Sequence, residues 1–395
     1  MKVLQINATY GRGSTGRNVK EQHEYYLTQG VDSYVAFAIA GEQSERVFRI
    51  GNTLDHKLHA LLSRVTGRQG GYSYLATRKL LKRMDEIAPD VVHLHNLHSN
   101  YIHLPSLLKY LAKKDIATVI TLHDFWFFTG RCYHYLYYGC EKYQTECGNC
   151  PYLKRTHALF DFTKKDFLTR KRLFSQIKKL GIVGVSKWCV EEAKKGFFKD
   201  FGEKTYVYNW VDGNIFYPRE TQPNPRKTVV AVSQEWSVKK GLPQAIALAD
   251  KLGDDCERVL IGGMLKDAVL PKNIRAVGYV GDVNILAEYY ASADCFVHFS
   301  TVETFGKVVI EALACGTPAV VFDSTALKEL VDESCGKIVA VNDVSAMADA
   351  ILEIISKGKA YYKEKCLAMV EENFAYHRQV EKYLEFYRRV KNDRS

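Results

Sequence analysis

The stretch Asp294-Cys-Phe-Val-His-Phe-Ser300-Thr-Val-Glu303-Thr-Phe-Gly306-Lys-Val-Val-Ile-Glu311-Ala-Leu-Ala-Cys-Gly316-Thr-Pro318 decides how the rest of the chain is read. Cys295–His298 is short, apolar and β-rich, the strand ends at Phe299, and a helix is predicted from near Gly306. Glu303 stands just before that helix and Glu311 within it. Helical geometry over eight positions would put the two carboxylates about 12 Å apart and on roughly one side. Between them the first backbone N–H groups of the helix, those of Thr304, Phe305 and Gly306, lack partners within the helix and suit a diphosphate. Gly306 lets backbone approach such a ligand. Carboxylates at either end can accept hydrogen bonds from hydroxyls of a sugar–diphosphate–ribose chain. A helix-start acid and a solvated surface acid would account for the two glutamates alone, but not for the Phe-Gly and Gly-Thr-Pro that frame them.

Working outward, short apolar strands alternate with longer helical patterns. Val3–Ile6 reads as a strand, followed by the glycine-rich turn Gly11–Gly16 and a helix from near Gly16. Val91–Leu94 and Thr118–Thr121 are strands on either side of a helix at Leu104–Lys113. Gly184–Ser186 ends another strand, and Val207-Tyr208 marks one more. The pattern restarts with strands at Thr228–Val232, Val259–Ile261, Ile274–Val277, Cys295–His298 and Ala319–Phe322, and a helix at Leu242–Lys251. Such alternation predicts an α/β protein of two Rossmann-like domains, each a parallel sheet covered on both faces. The boundary falls at Asn209–Asp212 through Pro225, where Pro218, Pro223 and Pro225 interrupt both periods. This gives an N-terminal domain over 1–210, a second over 211–375, and a helical segment over 376–395 expected to pack back on the first. Open α/β sheets bind ligands at the carboxyl ends of their strands. If the two sheets face one another, the ligand sits in the cleft between them.

With 47% hydrophobic and 25% charged residues the composition is that of a globular protein. No apolar run approaches the ~20 residues of a membrane span, and the apolar stretch after Met1 is too short for a signal-peptide core. A cytoplasmic protein is expected, with disorder only over Lys391–Ser395. Residues 1–210 hold 32 Lys and Arg against 19 Asp and Glu, and the remainder 23 against 26. A basic first half implies a meeting with phosphates or an anionic surface, or simply a solvated basic face.

The Glu303–Glu311 passage resembles the signature of glycosyltransferase family four, and the similarity runs along most of the chain. Gly11-Arg12-Gly13-Ser14-Thr15-Gly16 resembles the family's N-terminal loop, and His123-Asp124-Phe125-Trp126 its active-site histidine segment. Asn209–Asp212 with Phe216 and Pro218 is similar to its interdomain linker. Lys239-Lys240-Gly241-Leu242 resembles its lysine–glycine pair, Gly278-Tyr279-Val280 the segment against the nucleobase, and Lys328–Val331 a further block. The resemblance implies a GT-B fold and a retaining transferase that moves a sugar from a UDP- or GDP-type donor to a glycan or lipid-linked acceptor, in surface polysaccharide synthesis. It implies no divalent metal in catalysis. Lys240, Glu303 and, from the opposite domain, His123 are the implied catalytic residues. Gly13, Ser14, Lys239, Val280, Thr304, Phe305, Gly306 and Glu311 are the implied donor contacts. Two departures stand out: Ser233, Gln234 and Glu235 replace an arginine frequent before the lysine–glycine pair, and Ser324-Thr325-Ala326 replaces a glycine-rich approach.

Cys132, Cys140, Cys147 and Cys150 fall within nineteen residues of a loop over 131–151. Four thiolates would hold a structural zinc, with His134 as a substitute ligand; reduced thiols or a disulfide pair are the other readings. From Lys164 to Lys179 a basic helix carries interleaved Phe162, Phe167, Leu168, Leu173, Phe174 and Ile177. It fits an anionic membrane surface, with peripheral attachment on the cytoplasmic face, or a core-facing amphipathic helix. A nucleotide-sugar epimerase and a nucleic-acid-binding protein are the rival functions. The second leaves the glutamate motif unexplained, so no nucleic-acid partner is expected.

Overall fold

A computed structural model describes residues 1–153, 158–220, 224–253, 256–264 and 269–392 of the 395. Pro223 of the linker and residues 393–395 of the expected disordered tail lie outside them. The chain divides into two compact units: Met1–Val207 together with Val380 onward, and Tyr208–Gln379.

In the first unit β1 (Lys2–Thr9), β2 (Asp32–Ala40), β3 (Val47–Arg49), β4 (Val91–Leu94), β5 (Ala117–Leu122), β6 (Leu180–Gly184) and β7 (Glu203–Tyr206) form one parallel sheet, ordered β3-β2-β1-β4-β5-β6-β7. Its helices are α1 (Gly13–Thr28), α2 (Thr53–Thr66), α3 (Tyr74–Ile87), α4 (Leu104–Lys113), α5 (Thr163–Phe174) and α6 (Lys187–Lys195). In the second unit the strands are β8 (Lys227–Glu235), β9 (Cys256–Gly263), β10 (Ile274–Gly278), β11 (Cys295–His298), β12 (Ala319–Phe322) and β13 (Gly336–Val339). They form a second parallel sheet, ordered β10-β9-β8-β11-β12-β13. Among them run α7 (Leu242–Lys251), α8 (Val283–Ser292), α9 (Lys307–Ala314), α10 (Val344–Lys357) and α11 (Lys359–Asn373), and α12 (Tyr376–Asn392) closes the chain. Every residue of β4, β5, β6, β11 and β12 is buried, as a parallel strand covered by helices on both faces requires. In each sheet the strand order reverses once, between β1 and β4 and between β8 and β11. At such a point the crossovers leave in opposite directions and open a crevice at the strand ends.

Several expectations shift. The first helix starts at Gly13, because Gly16 already packs its α-carbon on Thr9, where a Cβ would stand 2.5 Å from Thr9 Oγ1. The strand predicted at Val207-Tyr208 lies one step earlier, at Glu203–Tyr206, and Val207/Tyr208 is the unit boundary. The helical segment expected over 376–395 is a helix of its own, set off from α11 at Phe374 and Ala375. Val211 N donates to Phe374 O (3.1 Å) and Val211 bridges Ala375, so the linker takes the backbone groups a continuous helix would need. Lys391 and Asn392, expected to be disordered, complete α12.

The later part of α12 packs within the first unit. Phe386 and Val390 lie against Gly181 of β6, where a Cβ would stand 2.6 Å from Phe386 Cε1 and 2.7 Å from Val390 Cγ2. Tyr387 OH meets His93 Nδ1 at 2.5 Å and Tyr383 OH meets Thr121 Oγ1 at 3.2 Å. Gly181→Ala is therefore expected to overpack this contact by about 1–3 kcal/mol. Gly213→Ala, with open space at its Cβ, should stay within about 0.5 kcal/mol of wild type. Urea denaturation of the two variants tests this; equal midpoints would contradict it.

Candidate active site

In the second unit the switch point brings together the ends of β8 and β11. After β8 the chain turns through Lys239 and Lys240 into Gly241, which has φ of 80° and caps the start of α7. A side chain at 241 would meet Phe299, its Cβ 2.4 Å from the Phe299 carbonyl oxygen. Only glycine permits that approach, and it sets Lys240 beside the loop after β11. Lys240 Nζ lies 2.6 Å from Glu303 Oε1. His298 Nε2 lies 3.8 Å from the same oxygen. Ser300 N–H donates to His298 Nδ1 (3.1 Å), so the neutral ring keeps its proton on Nε2, toward Glu303. Burial lowers the His298 pKa to about 4, which keeps the ring uncharged near neutrality. Burial alone would raise the Glu303 pKa, but the Lys240 ammonium, helped by His298 and Ser300, holds it below the ordinary carboxylate value.

The loop that carries Glu303 is fixed by the segment that departs from the family pattern. Glu303 N donates to Thr325 Oγ1 (3.0 Å), Ala326 N to Glu303 O (3.4 Å), and Ser324 Oγ to Thr301 O. Thr325 adopts φ of 47°, a conformation that favours glycine. Its hydroxyl does there what a glycine could not. Because Glu303 precedes α9 in non-helical backbone, the helical spacing expected between Glu303 and Glu311 does not apply. Gly306, at φ of 106°, is the N-cap of α9 and offers no side-chain cap; Phe305 is buried against Tyr208 and Phe374. Thr304 is half-buried just before it. Glu311 is only 2% exposed, and its Oε2 accepts from Tyr290 OH at 3.3 Å. It lies in the packing of α8 and α9 rather than open to solvent. Lys239 is exposed, and Val280, just after β10, packs on the cluster of Val230, Val259, Ile261 and Ala293.

In the first unit three neighbouring strands end at one edge. After β1, Gly11 N bonds Gly16 O (2.8 Å) and Thr9 Oγ1 bonds Arg12 O (2.9 Å), leaving Gly13 and Ser14 exposed at the start of α1. At the end of β4, His95 Nε2 donates to Gln5 Oε1 (3.2 Å). After β5, His123 Nε2 lies 3.0 Å from His95 Nδ1. Gln5 donates its own amide to Val19 O, so its oxygen accepts; His95 then carries its proton on Nε2, and His123 donates to it from Nε2. Burial lowers His123 to about 4 and His95 and His93 well below their ordinary value. His123 thus belongs to a column of uncharged imidazoles. Beside it Asp124 Oδ2 meets His98 Nε2 at 2.9 Å and Oδ1 accepts from Trp126 N.

The structure also adds residues that the sequence did not single out as site residues: His298, His95, Thr325 and Tyr290. The signal for the histidines was present. His93 and His95 alternate on one face of a strand at its carboxyl end, and His298 lies inside the quoted motif at the end of β11.

The cysteine-rich loop follows. All four of its cysteines are free thiols and half-buried. Burial, and then one another's charge, push Cys132 up to about 12 and Cys147 up to about 11. Among the described residues no group of three or more His, Cys, Asp or Glu is placed to hold a metal ion. The loop has another source of order. Tyr135 and Tyr143 pack as tilted rings with centroids 4.2 Å apart and both donate to the buried carboxylate of Glu192, Tyr143 at 2.9 Å. Gly130 N–H donates to Cys147 Sγ at 3.2 Å. The basic stretch 164–179 resolves as the core-facing alternative: Phe167, Leu173, Phe174 and Ile177 are buried. Arg170 is buried too, bonding Trp126 O and Thr129 O at 2.6 Å each.

The Lys240–Glu303 pair makes a pH prediction. A carboxylate whose folded pKa is depressed adds stability above its unfolded value, and that stability is lost as pH falls through the folded pKa. The melting temperature of wild type should exceed that of Lys240→Met most at neutral pH, and the gap should shrink below about pH 4.5. A gap that stays constant as pH falls well below that range would contradict the pairing.

Residues 16–212 match the profile of Glycosyltransferase Family 4, and residues 214–373 that of Glycosyl transferases group 1. The WcaC protein of Escherichia coli K12, provisionally named a colanic acid biosynthesis glycosyl transferase, is 26% identical over 371 residues, covering 87% of this chain and 88% of its own. Sucrose-phosphate synthase of Thermosynechococcus elongatus has the same fold, with a TM-score of 0.70 at 18% identity over 98% of both chains. Alr3699/HepE of Anabaena, solved in complex with UDP and glucose, follows at 0.63 and 17%, again over 98% of both. With the two sheets, the lysine–glycine turn and the Glu303 loop in place, the chain belongs to glycosyltransferase family four and has the GT-B fold.

Proposed function

We propose that this glycosyltransferase takes a sugar from a nucleoside diphosphate donor and passes it, with retention at the anomeric carbon, to a glycan or lipid-linked acceptor in surface polysaccharide assembly. The observation that carries the reading is the Lys240–Glu303 pair at the β8/β11 switch point. The likeness to WcaC along most of both chains supports the polysaccharide setting. The UDP in the HepE structure supports a UDP-type donor, with a GDP-type donor the other choice.

In this reading the diphosphate takes the Lys240 half of the pair and a donor-sugar hydroxyl takes the Glu303 half. As the bond from the anomeric carbon to the leaving phosphate oxygen lengthens, negative charge builds on the diphosphate. Lys240 and the backbone amides at the start of α9 are fixed before the reaction, which is what makes them effective. The acceptor oxygen bonds the anomeric carbon from the same face, and its proton passes to the departing phosphate oxygen. Glu311 would reach the ribose only if Tyr290 shares it. Neutral His123 offers a hydrogen-bonding ring to a sugar without adding charge. The cysteine loop is a separate proposal: a four-thiolate zinc needs the sulfurs to converge further than they do here. Metal analysis of protein purified without chelators decides it: one zinc per chain supports the site, and none leaves the loop held by its aromatic packing.

Incubation with UDP- and GDP-sugars and a lipid-linked or glycan acceptor, read by NMR of the new anomeric proton, tests the main reading. A retained configuration is expected, with Glu303→Gln slowed about a hundredfold or more. Inversion, or epimerised donor without transfer, would overturn it.

A further inference from the structure

Helix α2 is built inside out. Its buried residues are His59 and Ser63. His59 Nδ1 meets Ser73 Oγ at 2.9 Å, Ser73 donates to Asp55 at 2.8 Å, and Ser63 donates to Arg68 O at 2.9 Å. Burial lowers His59 to about 3, so the inner face is polar yet uncharged at the ring. On the other side Leu54, Leu58, Leu61 and Val65 recur at helical spacing, forming one narrow stripe. They are 75%, 55%, 59% and 38% exposed. Leu75 on α3, 70% exposed, extends the stripe across a groove of about 520 Å³ that Leu54, Leu58 and Leu75 share with Arg49, Lys79 and Arg83.

A soluble surface helix normally hides such a stripe, so contiguous exposed leucine marks a contact surface. The charges around it say what kind. Between positions 49 and 83 there are eight Lys and Arg and one acidic residue, Asp55, which is taken up by Ser73. On α2, Lys57 and Arg64 flank the leucine stripe on one side; on α3, Arg78, Lys79, Lys82 and Arg83 are exposed. Asp85 and Glu86 follow on α3, paired with Lys114 and Arg83. A leucine stripe bordered by such an excess of cations is what a helix needs to lie in a membrane interface, leucines in the acyl boundary and ammonium groups among anionic headgroups. Each cation near such a surface adds attraction that salt weakens.

We propose that the α2–α3 face docks this chain on an anionic lipid bilayer. The assignment is independent of the transfer reading, since it rests on none of the donor-site residues. It also moves the membrane contact away from the 164–179 stretch, where Phe167, Leu173, Phe174 and Ile177 are buried and Leu168 alone of the apolar side chains is exposed.

Flotation with phosphatidylglycerol/phosphatidylcholine vesicles and with pure phosphatidylcholine vesicles tests it. Wild type should bind the first and not the second, and bind less as salt rises. Leu58→Gln with Leu61→Gln should abolish binding while leaving the melting temperature and nucleotide binding unchanged, because both leucines are exposed. Lys57→Glu with Lys79→Glu should lower the partition about thirtyfold or more. Lys171→Glu with Arg172→Glu on α5 should change it far less. Equal binding to neutral vesicles, no binding to either, or unchanged binding by the leucine pair would overturn the proposal. So would a dimer, seen by sedimentation velocity, that the leucine pair disperses, for the face would then serve a second copy.

Discussion

Lys240 stands 2.6 Å from Glu303 because residue 241 has no side chain. The turn after β8 presses against the backbone of Phe299 at the end of β11, and a Cβ at 241 would fall 2.4 Å from its carbonyl oxygen. A parallel sheet brings those two strand ends side by side, and reversal of strand order keeps their crossovers apart. The glycine converts that proximity into contact. Once an ammonium and a carboxylate are held there, partly buried, the ammonium keeps the carboxylate ionised, and His298 is held neutral behind them by burial and the Ser300 amide. Fixed charges of this kind do not have to reorganise when charge develops on a ligand.

The first unit solves a different problem with the same architecture. Its strand ends carry imidazoles, and burial removes their charge. Gln5, His95 and His123 form a chain in which each proton position follows from its neighbour. Behind it Tyr387 of α12 meets His93, so the last helix of the chain supports a strand that ends at the site edge. One unit thus presents paired charge and the other uncharged hydrogen-bonding groups.

Much of this was legible in the sequence. Short strands such as Val91–Leu94, Cys295–His298 and Ala319–Phe322, apolar but for His93 and His298, are recovered at the predicted residues, because a strand buried on both faces has few polar positions to blur its ends. Strands with exposed ends, such as Lys227–Glu235, extend beyond their apolar cores. The lysine–glycine pair and Glu303 were readable as chemistry. Their direct contact was not, since it depends on tertiary packing between segments about sixty residues apart. Glu311 shows the opposite case: a helical spacing rule was applied across backbone that is not helical, and the carboxylate it placed is buried with Tyr290. The inverted helix α2 escaped for a related reason. A leucine stripe in sequence looks the same whether it faces a core or leaves it, and only the buried His59–Ser63 face tells which.

The most direct measurement is calorimetric titration of UDP and GDP into wild type and Lys240→Met at neutral pH. If the β8/β11 junction is the donor seat, one of the two nucleotides binds wild type. Its affinity then falls about tenfold or more in the variant, the cost of losing a charge-assisted contact. Equal affinity in both proteins, or no binding of either nucleotide by the folded wild type, would contradict the account.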